Sequence, residues 1–204
     1  MPIGDCLQFG WEAFKRHTAA LVFSTFVLCA ANLLVNAVSG FVLRRFAFVG
    51  GMVVTGLFWG GMAACARKAA HDQEPTLSDA FQVLTIRPGD YLLVGLAIDI
   101  GVLACGVGAV VTAFLFLFAP LCVVEGADWK QALARSKDIV LANVGESIVF
   151  YLVLIVVNIA GFMALGIGLL VTLPVTTLAI VRAYELASTP DQLPPSGSTP
   201  ASAA

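Results

Sequence analysis

The stretch Tyr91–Val124, YLLVGLAIDIGVLACGVGAVVTAFLFLFAPLCVV, carries a single charge, Asp99. Drawn as one α-helix at 1.5 Å per residue it would run to about 51 Å, whereas the hydrocarbon core of a bilayer is about 30 Å thick. The run is therefore expected to fold back on itself, and Cys105-Gly106-Val107-Gly108 supplies the break. Two short helices follow, either tilted across a membrane or partly re-entrant.

A second run repeats the first. Ser147–Val181 has no charge and is broken at Gly166-Ile167-Gly168. At an offset of 60 residues Tyr91-Leu92-Leu93 aligns with Tyr151-Leu152-Val153, and Gly101 with Gly161. Gly106, Gly108, Val111 and Thr112 align with Gly166, Gly168, Val171 and Thr172. Upstream, Thr18–Gly40 and Phe46–Ala66 each reach the roughly 20 apolar residues that a spanning helix needs, joined by a tight link carrying Arg44 and Arg45. The run from Thr18 is too long for the apolar core of a secretory signal and reads as a retained helix. The expected fold is all-α: a polytopic membrane helix bundle of six transmembrane helices in three hairpins, over 18–40, 46–66, 91–105, 108–124, 147–164 and 167–187. Pro174 is expected to kink the last helix, which neighbours in a membrane can tolerate.

An amphipathic helix is expected before each hairpin. Ile3, Leu7, Trp11 and Phe14 make an apolar stripe beside Asp5, Gln8, Glu12 and Lys15. Thr76-Leu77-Ser78-Asp79 has the form of a capping box, in which the first and fourth residues satisfy backbone amides at a helix start. Leu77, Phe81 and Leu84 follow at helical spacing, and Pro88-Gly89 is expected to end that helix. Trp129, Leu133 and Val140 share a face in the third segment, with Lys130, Lys137 and Asp138 elsewhere. Residues 188–204, rich in Pro, Ser, Thr and Ala, lack apolar periodicity and are expected to form a disordered cytoplasmic tail.

Composition agrees with a bilayer as solvent. The chain has 204 residues, 59% hydrophobic and 12% charged, against about half and a quarter in soluble domains. Its net charge of −2, with no basic stripe, argues against nucleic acid as a partner. Five cysteines without a CxxC, and only His17 and His71, give neither a disulfide framework nor a metal site. No cofactor is implied. Lys15, Arg16, Arg67, Lys68, Arg87, Lys130, Arg135, Lys137 and Arg182 fall on one side of the expected topology; Arg44 and Arg45 fall on the other. Basic residues mark the cytoplasmic side, so both termini and all three amphipathic helices are expected there.

Asp99 is the sharpest candidate for chemistry. A carboxylate at the bilayer centre costs about 2.5–3.5 kcal/mol on insertion scales, so it must be paired, neutral or water-facing. It reads either as a proton or cation site or as a neutral, hydrogen-bonded interior group. Asn158, Asn32 and Asn36 are its candidate partners in a polar intramembrane binding site, or else interhelical glue worth roughly 0.6 kcal/mol per bond. Gly56, Gly60 and Ala64 recur every four residues, a spacing that lets helices approach closely. They would serve packing within the chain or a homodimer through the second transmembrane helix. Gly106, Gly108, Gly166 and Gly168 shape the hairpin breaks. No GxSxG, HExxH or P-loop occurs, and no nucleophile is paired with a base. No catalytic residue is assigned.

Three segments together carry a family likeness: Trp11-Glu12-Ala13-Phe14-Lys15; Ala119-Pro120-Leu121-Cys122-Val123-Val124-Glu125-Gly126 leading to Gln131-Ala132-Leu133-Ala134-Arg135-Ser136; and Gly166–Pro174 leading to Ala183-Tyr184. Over roughly residues 5 to 187 the chain resembles a family of six-helix bacterial inner-membrane proteins of poorly defined function. That family is related to the membrane domain of some glycerophosphodiester phosphodiesterases. The resemblance implies a helical membrane fold in the bacterial cytoplasmic membrane, and no catalytic residue carries over. The expected function is that of a non-enzymatic integral membrane protein, a scaffold or accessory in envelope or lipid processes with the lipid bilayer as its partner. The alternative is a small transporter or channel using Asp99.

Overall fold

The computed structural model describes residues 3–42, 47–103, 107–164 and 168–188, and these are helical with short connections. Arg44, Arg45, Gly106, Gly166 and the tail beyond Ser188 lie outside the described residues. The helices are α1 (Ile3–Arg16), α2 (Thr18–Val42), α3 (Ala47–Ala70), α4 (Leu77–Gln82), α5 (Pro88–Leu103), α6 (Val107–Leu115), α7 (Ala119–Val124), α8 (Trp129–Ala142), α9 (Val144–Met163) and α10 (Leu169–Ala187). Among the described residues three helices are long and apolar enough to cross a membrane: Thr18–Val38, Val144–Met163 and Leu169–Ala187.

Helix α3 is the hub. It packs against α2, α4, α5, α7 and α10. Its small residues allow this: a Cβ on Gly56 would lie 2.1 Å from the Tyr91 carbonyl oxygen, and one on Gly60 would lie 2.5 Å from the Tyr91 ring. The Gly56/Gly60 face is thus filled by α5 of the same chain. Ala64, the third member of the stripe, is half-buried at the open end of that face.

Packing is uneven along the helices. Met62–Ala69 of α3, all of α7 apart from Pro120 and Val124, and Val175–Ala187 of α10 supply most of a tightly buried core. Toward the other end the side chains open outward. Leu33, Leu34 and Val38 of α2 are exposed, as are Val156, Ile159, Phe162 and Met163 of α9. Apolar patches this extensive mark a surface that meets lipid or another protein.

The helices depart from the expected pattern at three points. Residues 108–124 do not form one helix: α6 stops at Leu115, a turn covers 116–118, and α7 begins at Ala119. Pro120 has no N–H to give Phe116 and its ring crowds that carbonyl, so the helix breaks just before it. Ser136 of α8, fully buried, repairs the break, accepting from the Phe118 amide at 3.1 Å and donating to the Leu115 carbonyl at 2.9 Å. Pro88 begins α5 and does not close the preceding helix, because the first turn of a helix is where a missing N–H costs least. In α1 the buried face is Cys6, Gly10, Ala13 and Phe14, turned about one residue from the expected stripe, and Trp11 is 47% exposed. Small side chains win that face because α10 lies directly on it: a Cβ on Gly10 would come 2.7 Å from the Val175 carbonyl oxygen.

Candidate functional site

The four residues proposed for a polar intramembrane site lie on three different helices. Asp99 is on α5, half-buried, and its Oδ2 is buried without a hydrogen-bond partner. Asn158 on α9 is occupied elsewhere: its Nδ2 donates to the Leu154 carbonyl at 2.8 Å and to Thr176 Oγ1 of α10 at 3.4 Å. Asn36 donates to Asn32, at 2.9 Å to its Oδ1 and 2.8 Å to its carbonyl, within α2. The asparagines therefore tie their own helices or the α9–α10 pair together, and none of them bonds Asp99. Among the hairpin glycines, Gly168 packs on Gly161, where a Cβ would lie 2.4 Å from the Gly161 carbonyl oxygen. Gly108 lends its carbonyl to the Thr112 hydroxyl at 2.9 Å, and the same hydroxyl reaches the Ile98 carbonyl of α5 at 3.1 Å.

The ionisable groups gather instead at the end of the bundle that carries α1 and α8. Glu125, at the C-terminus of α7, is the centre. Its Oε1 faces Arg67 Nη2 of α3 at 3.2 Å, and its Oε2 accepts from Arg135 of α8 at 3.0 Å and from the Tyr184 hydroxyl of α10 at 2.6 Å. Arg135 also lies over the Tyr184 ring, 5.4 Å from its centroid. One carboxylate thus joins four helices. Alongside, His71 meets Glu185 at 3.4 Å, and Glu185 also meets Arg182 at 3.4 Å. Arg67, His71, Glu125, Tyr184 and Glu185 share the wall of a cavity of about 220 Å³.

Three further clasps fix the loops at this end. Asp79 opens α4, accepting from the Thr76 amide at 2.9 Å, the Thr76 hydroxyl at 2.7 Å and Lys68 of α3 at 2.7 Å. Burial raises the proton affinity of this carboxyl, but the Lys68 ammonium and the two Thr76 bonds outweigh it and hold the group below its ordinary value of 3.8. Arg87 reaches across to the Gly126 carbonyl at 3.0 Å and Asp128 at 3.1 Å, while Asp90 accepts from the Trp129 amide at 3.3 Å. Arg16 and Asp72 pair similarly at the α1 end.

The second notable space is apolar. A cavity of about 500 Å³ lies between α9 and a wall formed by α3, the α5–α7 segment and α10. Its lining includes Ile98 but not Asp99. Among the described residues no three His, Cys, Asp or Glu side chains come together as a metal site.

Glu125, Arg67, Arg135 and Glu185 are not singled out as functional residues by the sequence alone. The signal was present, since Glu125, Arg135 and Tyr184 sit in the segments that carry the family likeness. What single positions could not show is that three separate segments meet on one carboxylate.

The fold defines an all-helical protein in which, among the described residues, three helices are long and apolar enough to cross a membrane. No family model, curated protein or solved structure matches the chain.

Proposed function

We propose that the chain is a six-span protein of the bacterial cytoplasmic membrane, both termini cytoplasmic, which acts without catalysis as a scaffold or accessory in envelope or lipid processes. One observation carries this reading: the main cluster of groups capable of chemistry is closed on itself. Glu125 is held by two arginines and a tyrosine, an arrangement that locks helix ends together. The nine-to-two distribution of Lys and Arg supports the orientation. A repeat of the last two hairpins is supported by Thr112 and Thr172, each of which meets the other arm of its own hairpin, at Ile98 and Gly161. The family likeness noted in the sequence agrees with this.

The test is genetic and topological. Deletion in the native bacterium should raise sensitivity to membrane-active detergents, and Asp99→Asn should restore resistance as well as wild type. Failure of Asp99→Asn to complement would move the assignment to transport. An impermeant thiol probe should label a cysteine placed at Arg44 from outside intact cells; labelling only after lysis would overturn the orientation.

The second reading, a transporter or channel, is favoured by one observation, the buried Asp99 oxygen with no partner. Proton or cation flux into proteoliposomes should then exceed that of Asp99→Asn. Equal background flux for both would end that reading.

A further inference from the structure

The cavity beside α9 has no role in the scaffold reading, and its chemistry is specific. It is about 500 Å³ in volume and runs along α9 from Tyr151 to Phe162, about 16 Å at the helical rise. Trp59 of α3 and Ala113 of α6 form its inner wall. Ile159 and Phe162 line it and are also 54% and 69% exposed, so it opens sideways through the outer surface of α9. Both bordering helices, α9 and α10, are long and apolar enough to cross a membrane, so the mouth faces hydrocarbon.

Water does not suit this space. A buried water needs two to four polar partners; here Thr176 and the Asn158 amide donor are already engaged, which leaves Asn158 Oδ1, without a partner, and the Tyr151 hydroxyl as isolated polar points on an otherwise apolar wall. Leaving the space empty would forfeit the dispersion contacts of the entire wall. We propose that the cavity between α9 and the α3–α6–α10 wall is a binding site for one long hydrocarbon chain of a lipid, entering from the bilayer past Ile159 and Phe162. The site would make the protein a holder or presenter of single lipids. The inference rests on the membrane reading of α9 and α10 and extends it.

Trp59 is the natural reporter, because the chain has three tryptophans and the other two, Trp11 and Trp129, lie outside the cavity. In a Trp11→Phe/Trp129→Phe background the full chain is reconstituted into vesicles of dioleoyl phospholipid containing rising fractions of dibrominated phospholipid. A parallel series uses dibrominated stearic acid. At each dibrominated fraction Trp59 should be quenched at least about threefold more strongly than in Ala113→Phe or Ile155→Phe, which fill the cavity and keep the brominated chain out of contact with the indole. Preference for the phospholipid series assigns a membrane lipid, and preference for the stearate series assigns a free fatty acid; either supports the site. Identical curves for the parent and both filled variants, each folded by circular dichroism, would overturn it. Failure of the parent to enter the vesicles at all would instead overturn the membrane reading.

Discussion

Glu125 takes bonds from three directions, and its loss is felt by each partner separately. Glu125→Gln keeps the shape but leaves Arg67 and Arg135 beside a neutral amide. Because the Glu125 side chain is about a quarter exposed (26%), water screens the pairs. The expected loss is about 1–2 kcal/mol, between the surface and buried limits, or a few degrees in the melting temperature of the detergent-solubilised protein. Tyr184→Phe removes only the 2.6 Å hydrogen bond and should cost about 1 kcal/mol; an unchanged melting temperature in both would show that the cluster is not a lock. Asp79 makes a pH-dependent prediction. Its carboxyl is held below 3.8 in the folded chain, so its contribution is fully present above about pH 4 and is lost as pH falls through the lower, folded value. Acidification through that lower, folded value should therefore release α4 from Lys68, read as smaller protection factors (amide exchange corrected for its intrinsic pH dependence) across Leu77–Gln82. Asp79→Asn should show the smaller protection factors already at neutral pH, with no further loss on acidification.

At the level of elements, most of what a single sequence reveals is local, and here the local signals were strong. Length and apolarity located α2, α3, α9 and α10, and Thr76 with Asp79 marked the start of α4 through its capping chemistry. Two features were illegible for a shared reason. The register of α1 and the repair of the α6–α7 break are set by partners far along the chain, Val175 for Gly10 and Ser136 for Phe118. A periodic stripe tells which residues are apolar, but the face that docks is the one whose small residues let a neighbour's backbone come close. Hence Gly10, not Trp11, faces the bundle. Gly10→Leu should accordingly lift α1 from α10, since even a Cβ would lie 2.7 Å from a backbone oxygen. Cys6, at 0% exposure, is the indicator: it should resist maleimide in the wild type and react readily in Gly10→Leu, with the labelled thiol located by peptide mass. A Cys6 equally inert in both would mean that α1 stays docked.

On the scale of the whole molecule the solvent decides what the exposed side chains mean. The Glu125 cluster lies at the end with the tight core, while outward-facing apolar side chains run along α2 from Phe23 to Val38 and along α9 from Val144 to Met163, with little buried beside them toward the far end. The overall apolarity that signals this division was legible in the sequence; which end is dense was not, because it depends on how α3 gathers its neighbours. In water the exposed row on α9 would be an aggregation surface, and charges placed there would improve solubility. In hydrocarbon the same charges each cost about 2.5–3.5 kcal/mol near the helix centre. The double substitution Val156→Asp/Ile159→Lys, at positions 64% and 54% exposed, therefore separates the two solvents by sign. A membrane-spanning α9 predicts that the variant loses its alkali-resistant membrane fraction while wild type keeps it. A gain in soluble, monodisperse protein would show that α9 faces water. Leu178→Ala, at a side chain with 0% exposure, serves as the contrast: it should lower stability by about 2–5 kcal/mol yet leave membrane insertion unchanged, because it empties the core without altering what the bilayer touches.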